Sequence, residues 1–88
     1  MAKARDSYRE GNERLLLGDA SVAVQAYQEA IRLNPKDPAG YRGLGLARAQ
    51  EGKRDEAIRY LRAYLKHAPA ARDRALISDR ITLLENGR

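Results

Sequence analysis

The segment EGNERLLLGDASVAVQAYQEAIRLNP, residues 10–35, is followed along the chain by the segment LGLARAQEGKRDEAIRYLRAYLKHAP, residues 44–69. Small residues and prolines stand at matching places in the two segments, each pair 34 residues apart: Gly11 and Gly45, Gly18 and Gly52, Ala23 and Ala57, Pro35 and Pro69. A 34-residue period that leaves room for two helices is typical of helical repeat proteins. The sequence therefore predicts two stacked helical hairpins.

Glycine and proline also predict where the helices end. Gly18 and Gly52 suit tight turns, because glycine readily adopts a left-handed conformation just past a helix end. The residues before Pro35 and Pro69 are pushed out of the helical region, so these prolines mark helix stops. Between the marks, apolar residues recur with helical spacing, as in Ala20, Ala23, Val24, Tyr27, Ala30 and Ile31. We expect an all-α chain with helices near 3–17, 20–33, 38–51, 54–67 and 71–86.

The spacing resembles the tetratricopeptide repeat, whose unit is a helix A, a turn and a helix B. The matching positions are Gly11, Gly18, Ala23, Tyr27, Ala30 and Pro35 in the first unit and Tyr41, Leu44, Gly45, Gly52, Ala57, Leu61 and Pro69 in the second. The resemblance implies a single domain over residues 1–88, a right-handed α-α superhelix of five helices. Repeat one is expected at 4–37, repeat two at 38–71, and a capping helix at 72–86. Gly11 and Gly45 are expected where helices A and B cross closely, with Tyr27 and Leu61 beside them.

Two features depart from the repeat pattern. Ser7, Glu10 and Arg14 stand where large apolar residues are common on helix A, as in first repeats whose outer face meets water. Tyr64 stands where a small residue is usual, which predicts local repacking in the second helix B.

The composition favours a binding role over catalysis. The chain has 88 residues, a net charge of +5 and no cysteine, which excludes disulfides, a thiolate nucleophile and thiolate metal ligands. His67 is the only histidine and is expected at a helix C-terminus, where its charged form is favoured by the helix dipole. No metal-ligand spacing or phosphate loop is present, so we expect no enzyme, no cofactor and no metal. The lack of cysteine fits a reducing compartment, and a cytoplasmic location is expected.

The resemblance also implies where a partner binds, since helix A faces line a concave groove in this family. The positions that map to the groove are Arg5, Tyr8, Asn12, Leu15 and Leu16 in the first unit and Ala39, Arg42, Leu46, Ala49 and Gln50 in the second. A mixture of apolar, amide and guanidinium groups suits a peptide from a protein partner. The alternative is that Leu15, Leu16 and Leu46 only pack between helices, with Arg5 and Arg42 solvated.

Some members of the family clamp a C-terminal carboxylate with a set of lysine, asparagine and arginine side chains. The matching positions here are Tyr8, Asn12, Gly43, Asp73 and Ile77, of which only Asn12 agrees. We therefore expect no carboxylate clamp.

The last predicted helix carries more leucine than a cap requires. Ile77, Ile81 and Leu84 form one stripe, and Leu76 and Leu83 widen it. These two leucines either pack the cap or face a partner, a second copy of the chain or the next module of a longer protein. A homodimer through Leu76 and Leu83 is thus an alternative function. Nucleic acid is disfavoured because the basic residues are dispersed among acids, and no stretch is apolar enough for a membrane span.

Overall fold

Five α-helices make up the regular structure of residues 2–87, the part of the chain that the computed structural model describes. They are α1 (Ala2–Leu16), α2 (Ala20–Leu33), α3 (Ala39–Gln50), α4 (Arg54–His67) and α5 (Arg74–Asn86). These residues contain no strand, so the predicted all-α fold is confirmed. Each helix packs on the next along the chain, and α1 also contacts α3.

The two glycine turns end α1 and α3 in the same way. Gly18 and Gly52 both have φ +81°, in the left-handed region where residues other than glycine are strained. In the first turn the amide of Gly18 donates to the carbonyl of Leu15, and that of Asp19 to the carbonyl of Arg14. The same two bonds recur 34 residues later, at Gly52 and the residue after it. This Schellman arrangement satisfies the last carbonyls of each helix and turns the chain back at once into an antiparallel partner.

The start of α5 differs from the prediction. A helix was expected from residue 71, but residues 69–73 form turns in which the amide of Ala71 donates to Ala68 and the amide of Arg74 donates to Ala71. The side chain of Asp73 stands at the N-cap position of α5 but makes no capping bond. Its carboxylate is held instead by Arg42 and Tyr64. The helix begins at Arg74.

Close contact between helices is made possible by glycine, as predicted. A Cβ atom placed on Gly11 would lie 2.6 Å from Cε1 of Tyr27, and one on Gly45 would lie 2.7 Å from Cδ2 of Leu61. Gly43 of α3 approaches the same tyrosine, since its Cβ would lie 2.6 Å from Cζ of Tyr27. The Tyr27 ring is thus held between α1 and α3 and is fully buried.

Two clusters of buried side chains form the core. The first surrounds Tyr27 and joins α1, α2 and α3, and the second surrounds Leu61 and joins α3, α4 and α5. Ile77 and Ile81 of α5 are buried in the second cluster, so α5 covers the end of the second hairpin. Tyr64, the unusual residue of α4, is also buried there, with its hydroxyl donating to Asp73 over 2.6 Å.

The contact between Gly43 and Tyr27 yields a stability prediction. Gly43→Ala adds a methyl group where none fits, so we expect it to lower the free energy of unfolding by about 1–3 kcal/mol, despite the higher helix propensity of alanine. Urea denaturation followed by circular dichroism measures the change.

A double-mutant cycle supplies the control. In a Tyr27→Leu background the added methyl group has more space, so Gly43→Ala should then cost less than half as much. An equal cost in both backgrounds would show that the ring is not what Gly43 accommodates.

Candidate functional site

A hollow of about 420 Å³ is lined by residues of α1, α3 and α5. Its lining is mainly apolar, with one amide and one guanidinium group: Leu15, Leu46, Ala49, Gln50, Arg80 and Leu84. The hollow is open to solvent and is formed only by the first, third and fifth helices. We call this surface the groove.

Four of the ten predicted groove positions line the groove: Leu15, Leu46, Ala49 and Gln50. Leu15 and Leu46 also pack against the two core clusters, so each serves the fold and the groove at once. Leu16, by contrast, is 89% exposed. Its interpretation as an inter-helix packing residue is wrong because α1 ends there and no helix covers it.

Tyr8 and Asn12 of α1 are engaged by the core. The ring of Tyr8 packs on the ring of Tyr27, with the centroids 5.8 Å apart. The hydroxyl of Tyr27 donates a hydrogen bond of 2.6 Å to Oδ1 of Asn12. Burial is the largest factor that raises the pKa of Tyr27 to about 12, followed by the proximity of Tyr8. Tyr27 therefore stays protonated, and its hydroxyl holds Asn12 in place.

Arg42 belongs to a polar network that ties α5 to the rest of the fold. Its Nε donates to Oδ2 of Asp73 over 2.5 Å, while the hydroxyl of Tyr64 donates to Oδ1 of the same carboxylate. The hydrogen bond from Tyr64 is the largest factor that lowers the pKa of Asp73, followed among the favourable contacts by Arg42. The alternative that Arg42 is only solvated is therefore wrong, whereas Arg5 is exposed.

The sequence model of the tetratricopeptide repeat family matches residues 17–82. The chain belongs to this family. It is 38% identical over 58 residues to the small glutamine-rich tetratricopeptide repeat-containing protein 2 of Mycosarcoma maydis, which covers 66% of this chain and 16% of that protein. It is 42% identical over 53 residues to the cellulose synthase operon protein C of Komagataeibacter xylinus, which covers 60% of this chain and 4% of that protein. The chain thus spans only a small part of either relative.

Tetratricopeptide repeats are protein-interaction modules in general, and α5 takes part in the surface that α1 and α3 present. Arg80 and Leu84 line the groove although the sequence analysis did not assign them to it. The 34-residue period would have found them, because Arg80 follows Asn12 and Leu46 by whole periods, and Leu84 follows Gln50.

Leu76 and Leu83 of α5 do not pack the cap. They are 61% and 72% exposed, because Ile77, Ile81 and Leu84 are the residues that face α4 and the core. The packing interpretation of these two leucines is therefore wrong. They remain available to a second molecule.

No group of three or more His, Asp or Glu side chains within residues 2–87 is placed to hold a metal ion. His67 ends α4, as predicted, and its ring stacks on Tyr41 with the centroids 5.6 Å apart. None of the five helices in this range is long and apolar enough to cross a membrane.

The Asp73 network yields a prediction of pH-dependent stability. Because the folded state lowers the pKa of Asp73, it binds fewer protons than the unfolded chain, and this contribution to stability is present above the unfolded pKa of about 3.9. Asp73→Asn should lower the free energy of unfolding at pH 7 by about 1 kcal/mol. The difference in unfolding free energy between this variant and wild type should shrink as the pH falls below about 4. Urea denaturation at pH 7 and at a pH below about 4 measures it.

Asp79→Asn is the matched control, because Asp79 is an exposed carboxylate of the same helix and forms no ion pair among the described residues. It should change the stability at pH 7 by less than about 0.5 kcal/mol. If the two variants are equally stable at pH 7, the network does not hold α5 in place.

Proposed function

We propose that the chain is a protein-interaction module that binds a peptide segment of a partner protein in the groove, as part of a larger protein or complex. The observation that carries the proposal is the open apolar hollow between α1, α3 and α5. Leu46 and Leu15 offer apolar contact there, and the amide of Gln50 can bond to a peptide backbone. No catalytic role is proposed, in keeping with a family that is generally non-enzymatic.

The size of the groove supports modest affinity. A segment that covers three short helices buries an interface near or below about 1,200 Å², in the range of weak or transient complexes. Such a segment gains most from a few apolar anchors that fill the hollow, with the surrounding polar contacts contributing less.

The chemistry of the groove favours an internal segment of the partner over its C-terminus. The carboxylate of Asp73 lies beside α3, paired with Arg42, where a terminal carboxylate clamp would require a cation. Gly43 and Ile77, at two further clamp positions, are buried. These contacts support the expectation that the module does not capture a free C-terminal carboxylate.

The basic charge does not favour nucleic acid as the partner. Four arginines pair with acids of the same chain: Arg32, Arg42, Arg48 and Arg62. The charge is thereby dispersed and partly neutralised, whereas phosphate backbones are bound by clustered cations.

A second candidate function is self-association through α5. The exposure of Leu76 and Leu83 favours it, since two such helices could cover one another's leucines. The net charge of +5 on each copy opposes it, so binding of a different protein is the proposed function.

The role of the groove is tested by Ala49→Arg, which places a long side chain in the hollow. Tyr8 and Leu46 are less suitable positions because both also pack on the core. Peptides of about 16 residues, long enough to span the three helices, are selected from a random displayed library and labelled with fluorescein. Fluorescence anisotropy should show affinity at least about tenfold lower for Ala49→Arg than for wild type.

Ala63→Arg is the matched control, because Ala63 is half-buried on α4, which does not line the groove. It should leave peptide binding unchanged, and circular dichroism should show both variants folded. Selection of no peptide, or equal binding by wild type and Ala49→Arg, contradicts the proposed function.

A further inference from the structure

An exposed face of α5 carries a hollow of about 280 Å³. It is lined by Leu76, Asp79, Arg80 and Leu83, which are all exposed, and by Leu84, which also packs on the core. The four exposed residues stand at positions i, i+3, i+4 and i+7, so they form one continuous stripe along the helix. We call these four residues the α5 stripe.

The α5 stripe is complementary to itself when it is read in the opposite direction. Its centre lies between Asp79 and Arg80, and Leu76 and Leu83 stand equally far from that centre on either side. Two copies of the helix that run antiparallel about a twofold axis through this centre place Leu76 of each copy opposite the partner's Leu83. They also place Asp79 of each copy opposite the partner's Arg80. Such reciprocity is what a twofold contact requires, because both copies present the same surface.

The local charge of the α5 stripe favours a second copy, although the net charge of the chain does not. The stripe has one acid and one base, so the net charge of +5 arises entirely outside it. Neither Asp79 nor Arg80 forms an ion pair within residues 2–87, and adjacent residues of a helix do not face each other. A second copy supplies the opposite charge for both. At an ionic strength of about 0.15 M, charges more than about 8 Å apart are largely screened.

Other occupants match the α5 stripe less well. An acidic segment would be attracted by Arg80 but repelled by Asp79, and a basic segment would meet the reverse. A following helix B would meet the carboxylate of Asp79 one period after Gly45, the residue whose missing side chain lets Leu61 of α4 approach α3. A second copy avoids both conflicts.

We infer that two copies of the chain associate through α5 as an antiparallel pair about a twofold axis between Asp79 and Arg80. The four leucines cover one another, and the two ion pairs fix the direction and the register of the helices. The contact goes beyond the proposed function, since Leu15, Leu46 and Ala49 of the groove take no part in it. Two helices of 13 residues form an interface below about 1,200 Å², so the dimer is weak and reversible.

Sedimentation velocity of the whole chain tests the inference at concentrations from about 10 μM to about 1 mM, which suit a weak dimer. The mass should rise from 9.9 kDa towards twice that value. Asp79→Arg and Arg80→Asp each place like charges opposite one another in the dimer. Each should raise the dissociation constant at least about tenfold.

Mixing these two variants tests the proposed pairing of charges. The Asp79→Arg chain carries two bases at the centre of the stripe, and the Arg80→Asp chain carries two acids. An equimolar mixture therefore restores both ion pairs, and it should form a heterodimer at least as tightly as wild type forms its dimer. Because both variants must be folded to associate, recovery in the mixture also shows that neither has lost its structure.

The antiparallel direction is tested by disulfide formation, since the chain has no cysteine of its own. Leu76→Cys and Leu83→Cys chains, when mixed and oxidised, should be crosslinked mainly to each other. Either variant alone should crosslink little, because the antiparallel pair holds its two cysteines about 10.5 Å apart along the helix axis.

Matched controls separate the contact from general effects of charge and hydrophobicity. Asp6→Arg and Arg59→Asp make the same charge changes at exposed positions of α1 and α4, and Leu17→Ser removes an exposed leucine outside α5. All three should dimerise as wild type does. Leu83→Ser should raise the dissociation constant about fivefold or more through the lost apolar contact.

Four results would overturn the inference while leaving peptide capture by the groove intact. A monomer at every concentration would mean that the leucines serve another protein or a following helical hairpin. Equal effects of Leu83→Ser and Leu17→Ser would place the dimer contact elsewhere. Failure of the charge mixture to associate would exclude the proposed ion pairs, and crosslinking of Leu76→Cys mainly to itself would exclude the antiparallel direction.

Discussion

The ring of Tyr27 is wedged between Gly11 of α1 and Gly43 of α3, at distances that leave no space for a methyl group on either glycine. This side chain of α2 thereby sets the distance between α1 and α3, two helices that are not consecutive in the chain. The second hairpin is packed with side chains of other sizes. Leu61 stands in the place of Tyr27, and Ile77 of α5 stands in the place of Gly43. The smaller central residue is compensated by a larger one on the outer helix, as close-packed interiors require.

This packing determines the functional surface. Tyr27 and Leu61 are the centres of the two core clusters against which α1, α3 and α5 pack, and residues at the edge of these clusters, Leu15, Leu46 and Leu84, also line the groove. Hydrogen bonds also hold these helices together. Asn12 of α1 accepts one from Tyr27 of α2, and Asp73 accepts one each from Arg42 of α3 and Tyr64 of α4. Residues that looked like ligand contacts in the sequence therefore help to hold the groove in shape.

Much of the fold could be predicted from the sequence because turn residues and small residues act locally. Gly18, Gly52, Pro35 and Pro69 indicated the helix ends, and the 34-residue period indicated the stacking. The hydrogen bond between Asp73 and Arg42, 31 residues away in the chain, could not be predicted. The same contact engages Arg42, which was predicted as a groove residue. It was missed because hydrogen bonds between distant residues leave no periodic signal in the sequence. The exposure of Leu76 and Leu83 could not be predicted either, because the sequence of a short helix allows an apolar residue to face the core or the solvent.

The position of the Tyr27 ring between two helices is tested most directly by a nuclear Overhauser spectrum of the chain in solution. If the Tyr27 ring lies between α1 and α3, cross-peaks are expected from its ring protons to the α-protons of both Gly11 and Gly43, with these α-protons shifted by the ring current. Cross-peaks to Gly11 alone would mean that α3 does not lie against the first hairpin. The groove shared by α1, α3 and α5 would then not exist, which would contradict the packing described above.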